Sequence, residues 1–283
     1  MNYLLFNPLA NNGTGLDCKN AALPEINKVF SEVKEYNVLE LKIEEFVNSL
    51  TKDDNVILVG GDGTLNHLAN SVYNRGLECK FYLFKAGTWN DFLKDVVASD
   101  SEEKLIEITK YLKKLPKVTI NGVTTRFING VGFGIDGMVC EVADAMKANG
   151  KKKINYTGIA IKLLLFKFKC PDATVYLDGK EFKYKKAWIA SAMNGRYYGG
   201  GMKPAPNQDR LSGKLTFSMF AGSGRLKTLM IFPKIFTGDH LKSKKHCINV
   251  EAKKIEVIFT RPTALQIDGE THLNVTSYVA EIE

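Results

Sequence analysis

Val56-Ile57-Leu58-Val59-Gly60-Gly61-Asp62-Gly63-Thr64-Leu65-Asn66 decides how this chain is read. The uninterrupted apolar run Val56–Val59 has the pattern of a strand buried on both faces. It runs straight into glycines, where the backbone can turn sharply and approach a ligand with no Cβ in the way. From Leu65 to Tyr73 apolar residues return at helical spacing. A strand, a glycine turn and a helix N-terminus together present free N–H groups and a positive dipole end, which is a seat for phosphate. Asp62 places a carboxylate in that seat, which is useful where Mg²⁺ stands between it and the phosphates. No Gly-Lys-Ser/Thr follows, so this is not a Walker A loop. A plain strand-to-helix turn capped by Asp62 would use the same residues.

Working outward, Asn2–Phe6 reads as a strand ending at the turn Asn7-Pro8, and Ala21–Val33 has helical spacing. Cys79–Phe84 reads as a strand that ends in the loop Lys85-Ala86-Gly87-Thr88-Trp89-Asn90-Asp91. Leu105, Ile108 and Leu112 predict a helix over Ser101–Leu115, stopped by Pro116. This alternation predicts an α/β, doubly wound parallel-sheet nucleotide-binding domain. Loops at the carboxyl ends of parallel strands converge on one crevice. Asp91 is therefore expected near Asp62, with Thr88 and Asn90 offering neutral hydrogen bonds; alone, Asp91 would read as a helix cap.

Beyond Pro116 the texture changes to strands: Lys117–Ile120, Thr125–Ile128, Ala173–Leu177, Trp188–Met193, Lys214–Phe220 and Ile255–Phe259. Asp178-Gly179 is a hairpin signal between Ala173–Leu177 and Phe182–Tyr184. The expectation is an all-β, sandwich-like C-terminal domain with a helical insert around Val139–Lys169. The division reads as 1–118 for the α/β domain and 119–273 for the β-rich domain, with 274–283 able to return to the first.

The 283 residues are 45% hydrophobic and 25% charged. No apolar run reaches the roughly 18 residues of a membrane span, and Met1–Phe6 is too short for a signal-peptide core. A cytoplasmic protein is expected. Five isolated cysteines argue against a disulfide framework or a zinc site. The net charge of +8 suits an anionic partner, but no nucleic-acid module accompanies it, so none is expected. Ile154–Phe168, strongly apolar and preceded by Lys151-Lys152-Lys153, suits either a membrane-contacting helix or ordinary packing with snorkelling lysines. Trp188, Tyr197 and Tyr198 suit either an acyl-chain pocket or the core.

Gly60–Thr64 followed by Gly87-Thr88-Trp89-Asn90-Asp91 resembles the catalytic domain shared by diacylglycerol, sphingosine and related bacterial lipid kinases. The resemblance extends to Asn7-Pro8-Leu9-Ala10-Asn11-Asn12-Gly13 and Phe127-Ile128-Asn129 with Gly132–Asp136. It continues through Gly199-Gly200-Gly201, Ala205-Pro206-Asn207 and Asp268-Gly269-Glu270. These blocks stand in the family's order over nearly the whole chain.

The resemblance implies a kinase that transfers the γ-phosphate of ATP to a lipid hydroxyl, diacylglycerol above all, giving phosphatidic acid for phospholipid biosynthesis. It implies that Asn7, Pro8, Leu9, Ala10, Asn11, Gly60, Gly61, Asp62, Gly63, Thr64, Leu65, Asn66 and Thr88 hold ATP. Asp62 and Asp91 would position Mg²⁺, and Glu270 would be the general base, supported by Asp268. It also implies transient contact with a membrane surface and makes a homodimer plausible. One departure stands out: Asp209-Arg210-Leu211-Ser212-Gly213 carries Ser212 where the family has the aspartate of a structural Mg²⁺ site. Either Asp209 rebuilds that site with Ser212 or the site is absent. The competing readings are an NAD kinase-like small-molecule kinase, which shares the Gly-Gly-Asp-Gly loop, and a catalytically silent nucleotide- or lipid-binding regulator.

Overall fold

The computed structural model describes residues 1–85, 90–151 and 154–283. The chain divides into two compact units, Met1–Leu115 and Pro116–Glu283.

In the first unit the strands are β1 (Asn2–Phe6), β2 (Val33–Asn37), β3 (Asn55–Val59), β4 (Lys80–Phe84) and β5 (Leu105–Glu107). The helices are α1 (Ala10–Gly13), α2 (Gly15–Ile26), α3 (Ile43–Ser49), α4 (Asp62–Val72), α5 (Asp91–Val96) and α6 (Thr109–Leu112). The sheet order is β2-β1-β3-β4-β5, with β1 to β4 parallel and β5 antiparallel at the edge. Every residue of Val56–Val59 is buried, as a strand covered on both faces requires. Ala22 and Ile26 of α2 pack on one face, over Leu4, Ile57 and Val59. Because β1 and β3 pair in parallel, Phe6 lies beside Val59. Their carboxyl ends therefore open side by side, at the point where the strand order reverses.

The helix expected over Ser101–Leu115 is replaced by β5 and the single turn α6. Leu105, Ile106 and Glu107 pair with Phe84, Leu83 and Tyr82, closing the open side of β4. The Thr109 hydroxyl then accepts the Phe81 N–H at 3.0 Å. Pairing of an otherwise open strand edge outweighs the spacing of Leu105, Ile108 and Leu112.

The second unit is a β-rich, sandwich-like domain built on one large antiparallel sheet. Its strands are β6 (Lys117–Ile120), β7 (Val123–Arg126), β8 (Gly130–Phe133), β9 (Ala173–Leu177), β10 (Lys180–Tyr184), β11 (Ala187–Met193), β12 (Leu215–Ala221), β13 (Cys247–Ala252), β14 (Lys254–Ile267) and β15 (Glu270–Glu281). They run β13-β12-β11-β8-β14-β15-β6-β7, with β9 joined to β14 and β10 to β9. The long β14 pairs with β9 through Ile255–Phe259 and with β8 through Leu265–Ile267. The core includes Phe127, Phe133, Phe217, Phe259 and Tyr278, with the Phe133 and Phe259 rings stacked at 4.0 Å.

A helical layer forms a second cluster: α7 (Ile135–Ala148), α8 (Tyr156–Lys162) running into a π-type turn (Leu163–Lys167), and α9 (Arg225–Ile231). Trp188 belongs to this cluster and Tyr198 is buried beside Met193, so both are core residues. The division falls at 115/116, ahead of β6. Residues 274–281 remain in the second unit, because β15 pairs with β14 and β6.

Candidate functional site

The first unit brings three of the expected segments together. Asn7 follows β1, and its Nδ2 donates to Thr64 Oγ1 at 3.2 Å, while its Oδ1 accepts the Leu9 N–H at 3.0 Å. The loop after β1 is thus tied to the loop after β3. A Cβ on Gly60 would come within 2.8 Å of Thr64 Cβ, so packing against α4 requires glycine there. A Cβ on Gly61 or Gly63 would meet no atom within 4 Å. Protein packing does not demand glycine at either position, and both leave backbone open to a group arriving from outside. The first-turn N–H groups of α4 lack intrahelical acceptors and face that opening.

Asp62 links this loop to the next. Its Oδ2 accepts the Asp91 N–H at 2.9 Å and its Oδ1 the Phe92 N–H at 3.0 Å. Asn90 completes the cap of α5, its Oδ1 accepting the Leu93 N–H at 2.8 Å. Asp62 therefore holds the start of α5 beside the glycine turn. Leu65 is wholly buried, so it can offer a nucleotide only backbone. Asn66 Oδ1 accepts from Asn70 Nδ2 at 3.0 Å. Thr88 and the side chain of Asn11 lie outside the described residues.

In the second unit Asp268-Gly269 forms a two-residue hairpin turn between β14 and β15. Its φ values of 47° and 95° are the left-handed pair such tight turns need. The Asp268 carboxylate accepts three backbone N–H groups: Ile128 at 2.6 Å, Asn129 at 2.8 Å and Gly130 at 2.9 Å. It anchors the segment entering β8. Glu270 follows the turn, exposed and opposite Ile267.

Sequence reasoning passed over two residues here. Arg210 is 8% exposed, and its guanidinium holds the Ile128 carbonyl and Asn129 Oδ1. Asn194 Nδ2 donates to the same Ile128 carbonyl at 2.9 Å, and its own Oδ1 is buried with no partner among the described residues. The only signal in the sequence was an arginine set inside a turn, between Asp209 and Leu211.

The expected metal pair is brought together but does not fit a metal. Ser212 Oγ donates to the Asp209 carbonyl at 2.8 Å and accepts the Lys214 N–H at 3.2 Å, so the hydroxyl closes its own turn. Asp209 Oδ1 accepts the Leu211 N–H at 2.9 Å. Gln208 Nε2 donates to the carbonyls of Asp209 (3.0 Å) and Lys214 (2.8 Å). The Thr216 hydroxyl bonds Gln208 Oε1 at 2.6 Å and fixes which way the amide faces. An amide N–H₂ thus occupies the carbonyls of this loop. Among the described residues no three His, Cys, Asp or Glu side chains cluster to hold a cation.

Asp136, at the start of α7, is fully buried, and burial pushes its carboxyl above the usual range. Tyr198 Oη (2.9 Å), Ser191 Oγ (3.2 Å) and the Gly137 N–H (3.1 Å) donate to it and oppose that shift.

Residues 2–120 match the model of the diacylglycerol kinase catalytic domain, and residues 129–281 match that of the YegS C-terminal NAD kinase beta sandwich-like domain. A Staphylococcus haemolyticus protein named as a candidate lipid kinase is 27% identical over 222 residues, 78% of this chain and 71% of its own. A diacylglycerol kinase of Mycobacterium tuberculosis is 26% identical over 216 residues, 72% of this chain and 69% of its own. The crystal structure of a candidate diacylglycerol kinase from Bacillus anthracis superposes with a TM-score of 0.67 at 21% identity, covering 100% of this chain and 94% of that one. With both of its units matched in order, the chain belongs to the bacterial diacylglycerol kinase-like family of lipid kinases.

Proposed function

We propose that the chain transfers the γ-phosphate of ATP to a hydroxyl of a diacylglycerol-type lipid, giving phosphatidic acid. The observation that carries this reading is the glycine turn at Gly60–Thr64. It is open to an external group at Gly61 and Gly63 and is joined through Asp62 to the start of α5. In it the α4 N-terminus receives phosphate oxygens through backbone N–H groups, and Asn7 keeps the loop after β1 against Thr64.

Magnesium carried by a nucleotide needs only one or two protein carboxylates, because phosphate and water supply the remaining ligands. Asp62, with Asp91 next to it in the α5 cap, fits that need and would hold the ion, which neutralises phosphate charge when bound. Asp209 and Ser212 have no part in this. Glu270, exposed after its hairpin turn, receives the acceptor hydroxyl's proton as the oxygen bonds to phosphorus. Asp268 positions Glu270 by fixing the turn.

The experiment is phosphoryl transfer from γ-labelled ATP to separate diacylglycerol, monoacylglycerol, sphingosine, ceramide, undecaprenol and NAD. Label in the diacylglycerol product is expected. Label in NAD alone would convert the reading to a small-molecule kinase. ATP binding with no labelled product would convert it to a regulator.

A further inference from the structure

Among the described residues no helix is long and apolar enough to cross a membrane. In the second unit, Arg225 at the start of α9 donates from Nη1 to the Leu164 carbonyl at 2.7 Å and from Nη2 to the Phe168 carbonyl at 2.8 Å. One carbonyl lies inside the π-type turn and the other directly after it, so one guanidinium ties α9 to a segment far away in sequence. Their inner residues, Leu163, Leu164, Phe168 and Ile231, are buried in the helical cluster.

The outer residues at this junction are unlike an ordinary solvated surface. Phe166, between the two clamped carbonyls, is 74% exposed, and Leu226, next to the clamping arginine, is 76% exposed. Met230, one helical turn from Leu226 and on the same face of α9, is 63% exposed. Around them stand the exposed lysines Lys162, Lys167, Lys169, Lys227 and Lys234. Neither Ala145–Pro171 nor Ala221–Gly238 contains a single Asp or Glu. Large apolar tips interleaved with cations and no acids suit a surface that is apolar below and anionic above.

Beside this junction lies a cavity of about 440 Å³, lined by Lys167, Phe168, Lys169, Arg261 and Thr263, with Glu141 its one acidic side chain. It falls where β14 and β15 lose register, between Ile258 and Thr263 and again between Thr263 and Leu265. Such irregularities bend a strand and re-aim its side chains. Three cations round one opening are suited to a phosphodiester.

We infer that the junction of the π-type turn with α9 docks onto an anionic phospholipid bilayer, Phe166, Leu226 and Met230 entering the headgroup layer while the lysines and the adjoining cavity meet lipid phosphates. This inference deepens the lipid-kinase reading by naming the surface that meets the membrane, and its test involves no turnover.

The whole chain, without ATP, is sedimented with vesicles of phosphatidylcholine alone and with vesicles containing phosphatidylglycerol. The expected result is binding to the phosphatidylglycerol vesicles that weakens steeply with salt. Each lysine neutralised should weaken it about fivefold, so Lys162→Ala with Lys167→Ala should cost more than tenfold. Leu226→Ser with Met230→Ser should also cost about tenfold or more, with thermal melting and ATP binding unchanged because these side chains lie in solvent. Equal binding to both vesicle types, or full binding by folded variants, would overturn the inference. So would a second copy of the chain covering the face, seen as a dimer that Leu226→Ser dissolves and that ignores vesicles. A failed substrate panel with intact vesicle binding would instead indict the kinase reading.

Discussion

The carboxylate of Asp62 accepts the backbone N–H of Asp91 at 2.9 Å, joining two loops 29 residues apart. The residue with the most prominent place in the glycine turn is therefore also the cap of the next helix. Asp62→Ala should cost about 0.5–2 kcal/mol of stability, as lost helix caps do. If Asp62 also handles nucleotide charge, the folded variant should lose phosphoryl transfer by at least about 100-fold. Chemical denaturation and a turnover assay on the same preparation check both. Stability loss with near-normal turnover would leave Asp62 a cap alone.

Asp268 and Glu270 should separate structure from chemistry. Asp268→Ala removes the acceptor of three backbone N–H groups and should destabilise the second unit by roughly 1–3 kcal/mol or more. Glu270→Gln, at an exposed position, should leave stability and ATP binding intact while lowering kcat by about 100-fold. Melting curves, ATP binding and steady-state kinetics for the two variants decide this. Lost ATP binding in Glu270→Gln would make it a nucleotide residue instead.

The Asp209–Lys214 loop should be indifferent to divalent cations. Thermal melting of the chain should be unchanged by a chelator or by added Mg²⁺, because Gln208 and Ser212 already occupy its carbonyls. Gln208→Ala should lower stability by about 1–3 kcal/mol, the cost of carbonyls and a Thr216 hydroxyl left unpaired. A melting temperature that rises with Mg²⁺ and falls with Asp209→Asn would show a metal in this loop after all.

Asp136 should make stability depend on pH. Its folded pKa is raised above 3.8 by burial, so the folded state holds this proton more tightly than the unfolded chain does. The contribution to stability is complete below 3.8 and is lost as pH rises through the folded value. Asp136→Asn carries no such proton. Relative to the parent chain, its melting temperature should therefore improve as pH rises above 3.8 and level off once the folded value is passed. A constant difference across that range would show that Asp136 does not titrate differently on folding.

The sequence by itself determined the features whose information is local. Val56–Val59 running into glycines specified a buried strand and a glycine turn into a helix, and Asp178-Gly179 specified a hairpin through two left-handed φ values. The family blocks, in order, specified both units. What only the tertiary structure decided depends on partners distant in the chain. Leu105–Glu107 is a strand because β4 offered it an edge, and β15 stays in the second unit because β14 and β6 flank it. Asp268 anchors the N–H of Ile128, 140 residues away, and Arg210 reaches the carbonyl of that residue from a third segment. Ser212 suggested a weakened metal site, but the Gln208 amide that closes the loop instead shows only when its donors and acceptors are placed. The physical reason is the same in each case. Spacing along a chain records which face is apolar, but a buried carbonyl or N–H takes whichever partner the fold delivers, and that choice has no local signature.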